Sequence, residues 1–187
     1  TFQLDSGSKI VSAARGKDYI FIVTDTSAYI MQFVGPPFTF SIRQVGSNCG
    51  AMSQHSLVHV DGIMYWMGKS GGFYAYDGGS VKKITCSVED FVFTTQTSDD
   101  LGFNFGQSEQ VFAGYNTLFT EINWFYCKDG STQIDRCVTL NYREGLWTTS
   151  SLARTAYSDK YVLDNPYATE YNATGCLLYT SPSPRDA

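Results

Sequence analysis

The sequence predicts an all-β chain: a partial β-propeller of about three antiparallel meander blades, cut from a larger propeller. Three observations predict it. Aromatic residues make up 16% of the 187 residues, with 13 Tyr, 13 Phe and 17 Gly, a composition that suits strands and tight turns. The stretch VDGIMYWMGKSGGFYAYDGGSV at 60–81 sets two short aromatic runs between glycine-containing turns. Asp-Gly between apolar runs is a strong hairpin signal, because both central turn residues need positive φ. Finally, meanders begin near residues 19, 57 and 111, a spacing of roughly 40 to 55 residues that fits blade-type repeats.

In order along the chain, residues 1–17 are polar and small and are expected to form a connecting segment. The first blade, near 19–50, reads as strands Tyr19–Thr24, Ser27–Val34 and Phe38–Val45. Gly35-Pro36-Pro37 breaks the ladder between the last two, since neither proline can donate a backbone hydrogen bond. Phe38–Val45 alternates apolar and polar residues as a half-buried strand does. The second blade, near 56–95, holds the most regular meander: Leu57–Val60, Ile63–Met67, Phe73–Tyr76 and Ser80–Ile84. Within it, Cys86–Thr94 lacks clean periodicity and fits a short helix or a strand equally well. The third blade, near 110–150, reads as Val111–Tyr115, Leu118–Tyr126, Asp135–Tyr142 and Leu146–Thr149. Residues 151–175 open a further unit. A lone meander cannot bury both faces, so such units are stable only when stacked.

Composition excludes several function classes. A formal net charge of −5 and the lack of a basic stripe argue against a phosphate-binding surface. No apolar run approaches the ~20 residues of a membrane-spanning helix. The cysteines at 49, 86, 127, 137 and 176 form no CxxC pair, so they are expected to be free structural thiols, and no metal site is expected. His55 and His59 lie four apart about a strand, roughly 13 Å from one another, too far to share a metal.

Catalytic constellations fare no better, and no enzyme activity or cofactor is expected. Glu89 and Asp90 are adjacent and would point to opposite faces of a strand. Asp99 and Asp100 share that arrangement. Glu121 is expected on the polar face of an amphipathic strand, paired with Arg136; the sharper alternative is a buried carboxylate of raised pKa. Gly68-Lys69-Ser70 has the letters of a phosphate-loop ending but sits in a hairpin turn. Lys69, Ser70 and Asp77 in the second meander, with Lys128 and Asp129 in the third, are the candidate contact positions for neighbouring subunits.

The runs DYIFIVTDTSAYIMQFVGPPFTFSIRQVGSNCG, GIMYWMGKSGGFYAYDGGSVKKITCSVEDFVF and NTLFTEINWFYCKDGSTQIDRCVTLNYREGLW resemble the nozzle proteins (tail tubular protein B, or phage stabilisation-type proteins) of short-tailed bacteriophages. The resemblance covers about residues 18–170 and is a pattern of strands. It implies a six-bladed propeller subunit, made in the host cytoplasm and built into the virion. There it would form a hexameric ring below the tail adaptor, in contact with other tail proteins, and line the channel through which DNA passes without specific binding. It brings no active-site residues. The acidic balance suits a wall that lets DNA slide past. The competing class is a carbohydrate-binding or glycoside-processing propeller that reads receptors, with Trp66, Trp124 or Trp147 stacking on sugar rings. The chain opens on Thr1, and its end, CLLYTSPSPRDA at 176–187, resembles a translated sequencing adapter. Both are expected of an environmental-assembly fragment whose natural sequence stops near Gly175; an ordinary Ser/Pro-rich tail is the alternative.

Overall fold

The structure, a computed structural model, describes residues 4, 7, 9–94, 102–159, 165–172 and 175–180, with side chains to residue 170. The architecture is all-β. Fifteen described strands form four antiparallel sheets, each a meander in which neighbours in sequence are neighbours in space. The chain divides into two units, residues 1–86 and 87–187.

The first unit holds two four-stranded sheets. The first sheet runs β1 (Ile10–Arg15), β2 (Ile20–Thr24), β3 (Ser27–Gly35) and β4 (Thr39–Ser47). Its first strand falls inside the segment expected to be a connection. Ile10–Arg15 pairs with β2 along its length, interrupted by an irregularity between Ile10 and Ser12. IVSAAR has three exposed and three half-exposed side chains, with no period-2 apolar contrast in its sequence, so nothing in its pattern marks a strand. The second sheet, β5 (Leu57–Val60), β6 (Ile63–Met67), β7 (Phe73–Tyr76) and β8 (Val81–Ile84), follows the sequence reading within one residue. Asp61 and Gly62 take φ of 50° and 84°, the doubly positive turn that Asp-Gly favours.

These two sheets share one core. Phe21, Val23, Ala28 and Ile30 of the first meet Met64, Trp66 and Tyr76 of the second, with Cys49 and Ala51 from the connection between them. Phe21 stacks on Tyr76 with ring centroids 5.0 Å apart and lies 5.3 Å from Trp66. Buried aromatic pairs of this kind add about 0.5–1.5 kcal/mol each beyond the area they bury. The Trp66 indole N–H donates to the Cys49 carbonyl at 2.7 Å, so the largest core side chain leaves no polar atom stranded.

The second unit opens with the short helix α1 (Glu89–Phe93), which decides the ambiguous Cys86–Thr94 segment in favour of helix. A 3₁₀ stretch at Phe105–Gln110 follows, its first turn capped by the Asn104 carboxamide oxygen accepting from the Gly106 N–H. The third sheet is β9 (Phe112–Asn116), β10 (Glu121–Tyr126), β11 (Arg136–Asn141) and β12 (Leu146–Ser150). Here the strand expected over Leu118–Tyr126 starts three residues later. Asn116 accepts from the Leu118 N–H and Thr120 takes φ of 56°, so residues 117–120 are spent on the turn. β10 is buried along its whole length, as a central strand covered on both faces is. One face sends Phe125 to Phe112 and Tyr157; the other stacks Trp124 on Trp147 at 6.0 Å. The fourth sheet is β13 (Ala156–Ser158), β14 (Tyr167–Asn172) and β15 (Gly175–Thr180). Thus 176–180, part of the segment set apart as adapter-like, pairs in register with β14. Residues 181–187 lie outside the described residues.

Candidate interaction surfaces

Successive turns of a meander lie at alternate ends of its sheet, and this separates the candidate contact residues. Lys69 and Ser70 occupy the β6–β7 turn, whereas Asp77 is one strand further on, at the opposite end of the second sheet. Lys69 and Ser70 are exposed and line a cleft of about 320 Å³ with Asp25, Thr26, Asn48 and Gly50. The Lys69 N–H donates to the Gly50 carbonyl at 2.8 Å, which ties this turn to the connection between the two sheets. Asp77 instead closes its own turn: its carboxylate accepts from the Gly79 N–H at 3.1 Å and from Lys82 Nζ at 2.7 Å. The hydrogen bond from Lys82, then that from Gly79, hold its carboxyl below the ordinary carboxylate range.

Lys128 and Asp129 sit in the β10–β11 turn of the second unit, bound by backbone hydrogen bonds. The Lys128 N–H donates to Asp135 Oδ1 at 2.9 Å and the Asp129 N–H to the Gly102 carbonyl at 3.3 Å. The five positions therefore make up turn ends, three of them in the first unit and two in the second, and no single constellation.

Residues with chemical potential are absorbed by the interior. Trp66 and Trp124 are 0% exposed and Trp147 is 8% exposed, so none offers a ring face to a sugar. Glu121 is buried at 2% exposure, against the expectation of a polar-face position. Its expected pairing with Arg136 is excluded by register. Glu121 lies opposite Asn141 and Arg136 opposite Tyr126, five residues away along β10, or roughly 16 Å. The Arg136 guanidinium donates to Ser151 instead. The buried Asn123 carboxamide accepts from Thr139 Oγ1 at 2.6 Å, with Cys137 Sγ 3.8 Å from the same oxygen. His55 and His59 are both exposed. Among the described residues no group of three His, Cys, Asp or Glu side chains is placed to hold a metal ion. No helix among them is long and apolar enough to cross a membrane.

Cys49, Cys86, Cys127 and Cys137 are free thiols. Burial pushes Cys49 and Cys127 up to about 11 and Cys137 up to about 12. Since the thiolate is the nucleophile, these three should be inert in the folded chain. Timed alkylation with iodoacetamide at pH 8, read by peptide mass mapping, is expected to modify half-exposed Cys86 at least about tenfold faster than Cys49 or Cys137. Equal rates would mean that these interiors open readily.

One surface was not anticipated. Phe33, Val34, Phe38 and Phe40 are 65%, 52%, 75% and 40% exposed, although Phe38–Val45 reads as a half-buried strand. The register supplies the reason. β2 stops pairing with β3 at Ile20–Met31, whereas β3 and β4 continue through Gln32–Ser41, Phe33–Phe40 and Gly35–Thr39. Residues 32–41 form a two-stranded arm beyond the edge of the sheet, about 13 Å long. At its root a groove of about 450 Å³ is floored by Ile20, Met31, Phe33 and Phe40 and rimmed by the exposed residues Arg15, Lys17 and Asp18. The available signal was length: nine-residue strands flank Gly35-Pro36-Pro37, while the adjoining strand has five residues.

No protein-family model matches this chain, and no curated protein matches it. Among solved structures, a point mutant of the Synechocystis apocarotenoid oxygenase is similar over 90% of this chain, at 11% identity and a TM-score of 0.33. The chain spans 44% of that structure's length. A likeness this slight carries no argument about fold or activity.

Proposed function

We propose that this chain is part of a β-propeller that serves as a structural, non-enzymatic component of a short-tailed bacteriophage tail. In this reading it is a nozzle or tail-tube subunit, assembled into a hexameric ring that contacts the tail adaptor and surrounds the path of ejected DNA. It belongs to the virion and is made in the host cytoplasm. The observation that carries the reading is the succession of antiparallel meanders whose aromatic residues are spent on sheet packing. Phe21, Trp66 and Tyr76 join sheets in the first unit, and Phe125 and Tyr157 do so in the second. Interiors of this kind supply scaffold. A net charge of −5 favours a wall that repels phosphate.

The test is electron microscopy of the complete protein encoded by the parent reading frame, together with the identity of the flanking genes. Ring-shaped particles and neighbouring portal and adaptor genes are the expected result. A protein that stays monomeric at micromolar concentration, or that binds a defined glycan on an array in a Trp-dependent manner, would overturn the reading.

A further inference from the structure

We propose that Asp129-Gly130, in the turn between β10 and β11, is a self-modifying site, where the backbone isomerises through a cyclic imide to a β-linked isoaspartyl residue. The site needs no partner and is independent of the tail reading above.

Three Asp-Gly pairs, at 61–62, 77–78 and 129–130, stand in exposed turns, so the dipeptide alone does not choose among them. The reaction joins the glycine nitrogen to the aspartate Cγ. The N–Cγ bond forms, the Cγ–OH bond breaks, and the hydroxyl leaves with the amide proton as water. A second water opens the ring at either carbonyl, and opening at the α-carbonyl leaves the backbone running through the former side chain. Closure therefore needs a carboxyl free to take up a proton and a peptide plane that can bring the glycine nitrogen round to Cγ.

Asp77 fails the first condition. Its Oδ2 accepts from Lys82 Nζ at 2.7 Å and its Oδ1 from the Gly79 N–H at 3.1 Å, bonds that hold the carboxyl ionised. Asp61 fails the second. With φ of 50° and 84°, Asp61 and Gly62 form a type I′ turn. Turning its central peptide over would give type II′, whose first central position belongs to glycine. Val60 and Ile63 pair directly at the ends of that turn and fix it further.

Asp129 meets both conditions. Its exposed carboxylate takes no hydrogen bond or ion pair from the described residues. The Ser131 N–H donates to the Lys128 carbonyl at 3.0 Å, with a positive φ at Gly130 (77°) and not at Asp129, which makes a type II turn. Turning over its central peptide gives type I, a conformation that most residues accept, and glycine tolerates the change in sign of φ. The ψ of Asp129 then passes from about +120° to about −30°. In one sense of rotation the Gly130 nitrogen sweeps past the side of Asp129 that carries Cβ, where the five-membered ring closes. The anchors on either side can stay in place: the Asp129 N–H on the Gly102 carbonyl and the Asn104 carboxamide on the Ser131 carbonyl.

The test is incubation of the full 187-residue chain at pH 7 and 37 °C in water enriched in oxygen-18. Peptide mapping with electron-transfer fragmentation separates aspartyl from isoaspartyl products. Isoaspartate is expected to accumulate at 129 at least about fivefold faster than at 61 or 77, each converted peptide carrying the heavy oxygen that imide hydrolysis brings in. Lys82→Ala, at an exposed position, should raise the rate at 77 at least about twofold and leave that at 129 unchanged. In guanidinium chloride the three rates should draw together, because the turns and the Lys82 bond are gone. Faster conversion at 61 or 77 than at 129 in the folded chain would overturn the proposal, as would a lead at 129 that persists undiminished in guanidinium chloride. Isoaspartate without oxygen-18, or a folded chain that converts nowhere while the unfolded chain does, would overturn it equally.

Discussion

Replacing Trp66 by alanine is expected to destabilise the first unit by about 3–5 kcal/mol, the range for deleting a fully buried aromatic side chain. Trp66 is 0% exposed and touches both sheets. Its ring lies 5.3 Å from Phe21 and stacks on Tyr74 at 5.7 Å, so removing it opens a cavity that rigid strand backbones cannot close. The substitution also orphans the Cys49 carbonyl, which accepts the indole N–H at 2.7 Å. A domain's whole stability is about 5–15 kcal/mol, so most of the margin is spent. Trp66→Phe separates the two contributions. It keeps much of the ring packing and loses the hydrogen bond, and should cost about 1–3 kcal/mol. Urea unfolding followed by far-ultraviolet circular dichroism measures both. A cost below about 1 kcal/mol for Trp66→Ala would mean that the ring is a surface platform, as a sugar-binding reading requires.

What the sequence disclosed depended on whether the information was local. The second sheet was legible nearly residue for residue, because Asp61-Gly62, Gly68–Gly72 and Asp77-Gly78 each dictate a turn from their own backbone preferences. β1 was hidden because its identity as a strand comes from pairing with β2, and Ala13 and Ala14 carry no apolar contrast of their own. The same holds for Glu121. Its alternation with Ile122 and Trp124 gives the face, but only the neighbouring sheet determines that the face is buried. Contact residues were the least legible. Lys69 and Asp77 are near in sequence and lie at opposite ends of one sheet. The exposed arm follows from strand lengths compared across a hairpin, which no short window contains.

Gly50→Ala tests the junction through which the first unit's two sheets are joined, and it too is expected to cost at least about 3 kcal/mol. A Cβ at Gly50 would lie 2.1 Å from the Asp25 carbonyl oxygen, 2.2 Å from its carbon and 2.6 Å from the Thr26 nitrogen. Those atoms are backbone, with no rotamer to give way. They are also fixed from both sides. The Cys49 N–H donates to the Thr26 carbonyl at 2.9 Å and the Ala51 N–H to the Thr24 carbonyl at 3.1 Å, while the Gly50 carbonyl accepts from Lys69. Relief of the overlap must break at least one of these bonds and shift the β6–β7 turn that carries Lys69 and Ser70. Gly79→Ala is the matched control: its Cβ meets only Asp77 Oδ1, at 3.4 Å, and its effect should stay within about 0.5 kcal/mol. Thermal melts of the two variants side by side decide the matter. If Gly50→Ala melts with Gly79→Ala, the 48–51 connection does not run against the β2–β3 turn. If it melts far below, the sheets are locked through backbone at this point, and the exposed residues beside it are held in place by the same lock.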